Sequence, residues 1–202
     1  EICACLVGSE MCIRDRYAPS RDQEKAKEYL ATALSELGCT VDDLSAHLSI
    51  DCGDSPTAIA EASFYQEQWR QVLGIEVAVN SMITKQGSQN RKTGNYVMSV
   101  TGWGPDYNDP NTFLDIWVTD GGNNQTGFSN ERYDELIDLA SKETDLEKRE
   151  SYFIECEQII ADQLPIGPSY WRAPSYACSD KIKGGMHRST FQDISAVYVK
   201  LS

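Results

Sequence analysis

Apolar residues along this chain recur at two spacings, and the spacing assigns most of the elements. From about Asp22 to Leu37, the residues Ala26, Tyr29, Leu30, Ala33, Leu34 and Leu37 fall three or four apart, which predicts an amphipathic helix closed by Gly38. Near Ala46 to Asp51 the period changes to two, with Leu48 and Ile50 alternating with Ser49 and Asp51, as in a strand. Ser55 as N-cap and Pro56 at the first helical position open a second helix. Its stripe is Ala58, Ala62, Tyr65, Trp69 and Val72, and it ends at Gly74. Ile75, Val77 and Val79 make the next strand. Strand, helix and strand in this order predict a βαβ unit, with the two strands parallel in a sheet flanked by helices.

Ser81 to Asn95 is polar and contains glycine, which suits a short helix and a loop. Period two returns at Tyr96, Met98 and Val100. That strand runs into Gly102-Trp103-Gly104-Pro105, where regular structure must stop. A polar and aromatic turn follows at Asp106 to Pro110, then an apolar run from Phe113 to Val118. Gly121 to Asn124 is a loop. Ser129 or Asn130 caps a helix carrying Tyr133, Leu136, Ile137 and Ala140, and Thr144 with Glu147 suggests a capping box for the next. That next helix carries Leu146, Phe153, Cys156 and Ile160 and stops before Pro165. Pro165 to Arg172 is expected to be extended, Tyr176 to Cys178 and Ala196 to Leu201 to be strands, with a break at Gly184-Gly185. Internal repeats and low-complexity tracts are absent.

Composition narrows the functional classes. The formal net charge of −13 sets the chain against phosphate backbones, so nucleic-acid binding is not expected. No apolar run approaches the ~18 residues that a membrane-spanning helix needs. Of seven cysteines, none lies in a C-x-x-C, and His47 and His187 stand far from each other, which gives no zinc pattern. No metal and no cofactor are expected. Leu6 to Arg16 matches codon by codon a frame through a transposase-type sequencing adaptor, so residues 1–16 are expected to be non-native. Recovering the same codons with a different library chemistry would overturn that reading. Setting them aside leaves Cys39, Cys52, Cys156 and Cys178. Cys156 falls on an apolar helix face as a small hydrophobe, and the possible pairings among the four stay open.

A tryptophan between two glycines is poor core design but suits a place where a ligand backbone approaches an indole wall. The stretch Gly102-Trp103 … Asp106-Tyr107 … Pro110 resembles the corresponding segment of the oligopeptide-binding proteins, solute-binding protein family 5. The resemblance extends from Tyr17 to Ser202 through the order of elements, the Leu73 to Val77 connection and the ending Tyr198-Val199-Lys200. It implies an α/β fold of the periplasmic-binding-protein-like type II. Residues 17–183 would form most of the second, ligand-binding lobe, and 184–202 would return to the first, with a boundary near Lys183. It also implies a fragment of a receptor roughly three times this length. The implied function is capture of short peptides outside the membrane for an ABC importer permease, as a monomer and without chemistry on the ligand. Placement would be periplasmic, or at the surface of a Gram-positive cell as a lipoprotein, with membrane association only through the permease or a lipid anchor elsewhere. Relatives also take nickel complexes, haem or sugars.

Carried over residue by residue, the resemblance makes Asp106 the acceptor of a peptide α-ammonium and Trp103 a pocket wall, with Tyr107 beside them. Thr101, Gly102 and Gly104 would offer backbone groups to an extended peptide, as in strand addition. The plainer reading is that Asp106, Asn108 and Asp109 cap a turn ahead of Pro110. Val100 stands where some members place a basic residue for the carboxylate of a short peptide, and Gly104 where some carry a disulfide cysteine. A calcium loop through Asp106 and Asn108 fails at Pro110 and Asn111. A hydrolase pairing Asp106 with Asp109 is the competing enzyme class, and no serine, cysteine or histidine arrangement supports it.

Overall fold

The computed structural model describes residues 22–170, 179–182, 187–188 and 194–195. The expectations for residues 1–16, the strands at Tyr176 to Cys178 and Ala196 to Leu201, the break at Gly184-Gly185 and the boundary at Lys183 lie outside those residues. The described chain falls into two compact units, one ending at Gly102 and one beginning at Trp103. No described helix is long and apolar enough to cross a membrane.

The first unit opens with α1 (Gln23–Leu37) and α2 (Val41–Ser45), followed by β1 (Ser49–Gly53), α3 (Pro56–Leu73), β2 (Ala78–Met82), α4 (Thr84–Thr93) and β3 (Met98–Ser99). The caps read from sequence are in place. Ser55 accepts from the Ala58 N–H at 3.2 Å with Pro56 beside it, and Gly38 and Gly74 end their helices in the left-handed conformation. Strands β1 and β2 pair in parallel, Ile50 opposite Val79, and β1 also pairs in parallel with β3, giving the order β2-β1-β3. Ile50, Cys52, Ala62, Ile75 and Val77 form the core, with Trp69, Tyr65 and Leu30 packed on it.

Three expectations shift here. Tyr29 and Leu37, counted in the α1 stripe, are exposed, because α1 packs on α3 through the Ala26, Leu30, Ala33 and Leu34 side only. The alternation of Ile75 and Val77 points them inward as expected, yet β2 begins only at Ala78. The Gln66 side chain donates to the Val77 carbonyl at 2.6 Å, and Ser45 Oγ accepts from the Glu76 N–H at 2.9 Å, so side chains take the bonds a ladder would have made. The short helix α2 was not anticipated; it rests on a capping box between Thr40 and Asp43.

The second unit contains α5 (Asn111–Leu114), a 3-10 turn (Asp115–Trp117), α6 (Glu131–Lys142), α7 (Leu146–Gln163) and the antiparallel pair β4 (His187–Arg188) and β5 (Ile194–Ser195). The apolar run thus forms two short helical turns, with Leu114 and Ile116 buried. Gly121 follows where a Cβ would sit 2.9 Å from the Val118 carbonyl oxygen, so only glycine fits. Asn130 caps α6. The cap of α7 is Asp145 rather than Thr144, since Asp145 accepts from the Lys148 N–H while the Glu143 carboxylate takes the Thr144 and Asp145 N–H groups. Leu114, Tyr133, Leu136, Ile137, Phe153, Cys156 and Ile160 make the core. Burying a Leu or Ile of this kind contributes roughly 1.5–3 kcal/mol. The Tyr133 hydroxyl, inside this core, donates to the Leu114 carbonyl at 2.7 Å.

Cys39, Cys52 and Cys156 are free thiols. Burial, reinforced by the charges of Glu155 and Glu157, pushes the Cys156 thiol up to about 12, and burial raises that of Cys52 as well. Of these three, only the half-buried Cys39 is expected to react with iodoacetamide in native protein at mildly alkaline pH, with Cys52 and Cys156 labelled only after denaturation. Peptide mass spectrometry reads the pattern, and native labelling of Cys156 would contradict the packing. Tyr133→Phe leaves the buried Leu114 carbonyl without its donor and should cost about 1–3 kcal/mol. Urea unfolding measures this, and an unchanged midpoint would show that the bond contributes nothing.

Candidate functional site

The motif begins where the sheet ends. The Val100 N–H donates to the Asp51 carbonyl at 2.9 Å, and the backbone then leaves regular structure until the turn at Asp106. Thr101 and Gly102 close the first unit; Trp103, Gly104, Asp106 and Tyr107 open the second. All six expected site residues are exposed. Trp103 is 42 % exposed, which removes the reading of it as a core aromatic. A Cβ on Gly104 would meet nothing within 4 Å, so internal packing gives no reason for glycine there.

From Asp106 to Asp115 the turn is tied by short polar contacts. The Asp106 N–H donates to Thr112 Oγ1 at 3.0 Å, and Thr112, only 2 % exposed, donates its own N–H to the Asp109 carbonyl at 3.2 Å. Asp109 Oδ1 accepts from the Asn111 N–H at 2.9 Å, an Asx turn. Its carboxylate also takes both arms of the Arg149 guanidinium, at 2.7 and 2.9 Å. Burial alone would raise the Asp109 pKa. The Arg149 hydrogen bonds, the Asn111 N–H and the guanidinium charge outweigh it and hold the carboxyl below its ordinary value. The Tyr107 hydroxyl donates to Asp115 Oδ2 at 3.1 Å and accepts from Asn111 Nδ2 at 3.1 Å. Its partial burial, with the Asp115 charge nearby, raises the phenol pKa despite the Asn111 contact.

The two aspartates therefore differ. Asp109 caps the turn, as the plainer reading had it. The Asp106 carboxylate is exposed and has no hydrogen-bond or ionic partner among the described residues. A general acid must hold a proton to give, and Asp109, kept ionised by the Arg149 fork and the Asn111 N–H, does not suit that role. Among the described residues no group of three or more His, Cys, Asp or Glu is placed to hold a metal.

Sequence reasoning missed Arg149, Thr112, Asn111 and Asp115. Thr112 could have been suspected as the polar residue inside an apolar run; nothing near Arg149 points 40 positions back to Asp109. It also missed Asp51, a 5 % exposed carboxylate under α4 that accepts from Asn80 at 3.1 Å and Asn90 at 3.3 Å. Asp51 borders a polar recess of about 450 Å³, with Ser49, Asn80, Asn90, Asn95 and Tyr96. The recess lies on the face of the sheet opposite the Ile50 and Cys52 core.

Residues 13–125, more than half of the chain, match the family model of the bacterial extracellular solute-binding proteins, family 5 Middle. The chain belongs to that family. It is 33 % identical over 179 residues to the oligopeptide-binding protein OppA of Bacillus subtilis (strain 168), covering 85 % of this chain and 32 % of that protein. Over 187 residues it is 32 % identical to the dipeptide-binding protein of Lactococcus lactis subsp. cremoris (strain MG1363), covering 90 % and 34 %. The structure of Listeria monocytogenes OppA bound to peptide superposes with a TM-score of 0.75 at 30 % identity, over 90 % of this chain and 34 % of that one. The chain thus spans about a third of the length of the relatives it matches, and its α/β fold is that of the periplasmic-binding-protein class.

The depressed Asp109 pKa sets an acid limit on the turn. A carboxyl whose folded pKa lies below its unfolded value of 3.8 contributes stability that is full above pH 3.8 and is lost as pH falls through the folded pKa. The melting-temperature gap between wild type and Asp109→Asn should accordingly be widest near neutrality and close as pH is lowered below about 4. A gap that stays constant down to pH 2 would show that the charge on Asp109 does not matter.

Proposed function

We propose that the protein is the substrate-binding component of an ABC importer, which captures short peptides outside the membrane and presents them to a permease. Residues 17–183 then belong to the second, ligand-binding lobe and 184–202 to the return into the first. The observation that carries this reading is the contrast inside the motif turn. Asp109, Asn111 and Tyr107 are tied to neighbours, while the Asp106 carboxylate, close in sequence to the exposed Trp103, stands exposed with no partner among the described residues. A lone carboxylate there suits the α-ammonium of a peptide. Trp103 supplies a wall, Tyr107 a fixed edge, and Thr101, Gly102 and Gly104 supply backbone groups for an extended chain. The relatives named for oligopeptides and dipeptides in Bacillus, Lactococcus and Listeria favour the same ligand class. The protein binds and releases its ligand without chemistry, as a monomer.

Asp106→Asn in the full-length receptor keeps the side-chain shape and removes the charge. An ammonium left without its partner inside a closed cleft typically costs about 3–5 kcal/mol, so peptides with a free N-terminus should bind roughly two to three orders of magnitude more weakly. N-acetylated peptides should bind the wild type poorly and lose little more in the variant. Calorimetry with both peptide forms decides it: equal losses for the two would leave Asp106 as a turn residue only. Mass spectrometry of ligands co-purified with the receptor tests the solute class, and a nickel complex, haem or a sugar in place of peptides would displace the peptide reading.

A further inference from the structure

Arg149 lies in the first turn of α7 and makes three kinds of contact at once. Its Nη1 and Nη2 donate to the two Asp109 oxygens at 2.7 and 2.9 Å, its Nε donates to the Ala140 carbonyl near the end of α6 at 3.0 Å, and its guanidinium lies over the Phe153 ring at 4.6 Å from the centroid. The pair is largely withdrawn from solvent, with side-chain exposures of 23 % for Arg149 and 27 % for Asp109. Most other ion pairs of this unit sit at the surface; Arg132 with Glu155, for example, is 46 % and 45 % exposed. A two-pronged pair at this depth fixes direction as well as distance.

From Asp109 the connection to the motif carboxylate is short. The Asp109 carbonyl holds the Thr112 N–H, and Thr112 Oγ1 holds the Asp106 N–H. The Asp109 N–H closes the loop onto the Tyr107 carbonyl at 3.0 Å. Asp106 itself touches none of α6 or α7 in this chain of contacts. We infer that Arg149 is a positioning residue for the ligand turn: by clamping Asp109 to the α6–α7 core it fixes the backbone at Asp106, and so the direction in which the Asp106 carboxylate faces. This rests on the reading of Asp106 as the ammonium acceptor, and it adds a residue outside the motif to the set that determines binding.

The full-length receptor with Arg149→Lys, Asp109→Asn and both together tests it. Lysine keeps the charge and loses the fork; asparagine keeps the Asn111 cap and loses the ionic partner. Each single variant should speed hydrogen exchange at the Asp106 and Thr112 amides while leaving the α6 and α7 amides protected. Each should also weaken binding of free-N-terminus peptides by about tenfold with little effect on N-acetylated ones, and the double variant should be no worse than the poorer single one. Unchanged exchange at Asp106 and Thr112 would overturn the clamp. Faster exchange with unchanged peptide affinity, or an equal loss for free and acetylated peptides, would leave Arg149 as a purely structural residue. Additive losses in the double variant would show that the two side chains act separately. Asp106→Asn, run in parallel, separates the two ideas: if it fails to discriminate the peptide forms while the exchange result holds, the ammonium reading falls and the clamp stands as a feature of the fold.

Discussion

A half-buried carboxylate cannot be left alone, and that constraint shapes the second unit. Asp109 loses hydration on the turn that follows the sheet, and the cost is met by a guanidinium whose planar fork matches both oxygens. Because the same guanidinium reaches the Ala140 carbonyl and covers Phe153, the charge is neutralised at the place where turn, helix end and apolar core meet. Tyr133 fixes the neighbouring carbonyl of Leu114 from inside that core. The backbone at the exposed Asp106 is thus held through Thr112 and Asp109, with no hydrogen bond to its own carboxylate among the described residues.

Much of this fold was legible in the sequence, for reasons that are local. Ser55-Pro56 and the glycines at 38 and 74 bound their helices because cap chemistry acts within a few residues. The parallel pairing of β1 with β2 followed from element order, and Cys156 on its apolar face is fully buried. What stayed hidden depends on partners far along the chain. The start of β2 moved because Gln66 and Ser45 captured backbone groups of Val77 and Glu76, a choice no period-two pattern can display. The α1 stripe overcounted Tyr29 and Leu37 because only the Ala26, Leu30, Ala33 and Leu34 side of the helix is partly buried. The α7 cap moved by one residue, since Glu143 took the Thr144 N–H that the capping box would give to Glu147, and Asp145 accepted from the Lys148 N–H.

The candidate site shows the same limit more sharply. Asp106 and Asp109 stand three residues apart in one polar turn, and nothing beside them ranks one above the other. Local chemistry favoured capping for both. The resemblance favoured Asp106 as the ligand residue, and the distinction between the two rests in the structure on Arg149, a residue from a different helix. Motif reading thus named the exposed positions, while the residues that brace them (Thr112, Asn111, Asp115 and Arg149) came only from three-dimensional contacts.

The Gln66 bond to the Val77 carbonyl makes the link between α3 and β2 a ruler of fixed length. Gly74 to Val77 must span from the helix end to the sheet while Ile75 and Val77 both stay inside and the Glu76 N–H stays on Ser45. One residue more or fewer would turn the inward set outward, as any slip of a period-two segment does, and would break both side-chain bonds. Insertion scanning should find this link intolerant of length change and the exposed turn at Gly94–Asn95 permissive. Two short connections of the same unit would then differ sharply in the indels their descendants can carry.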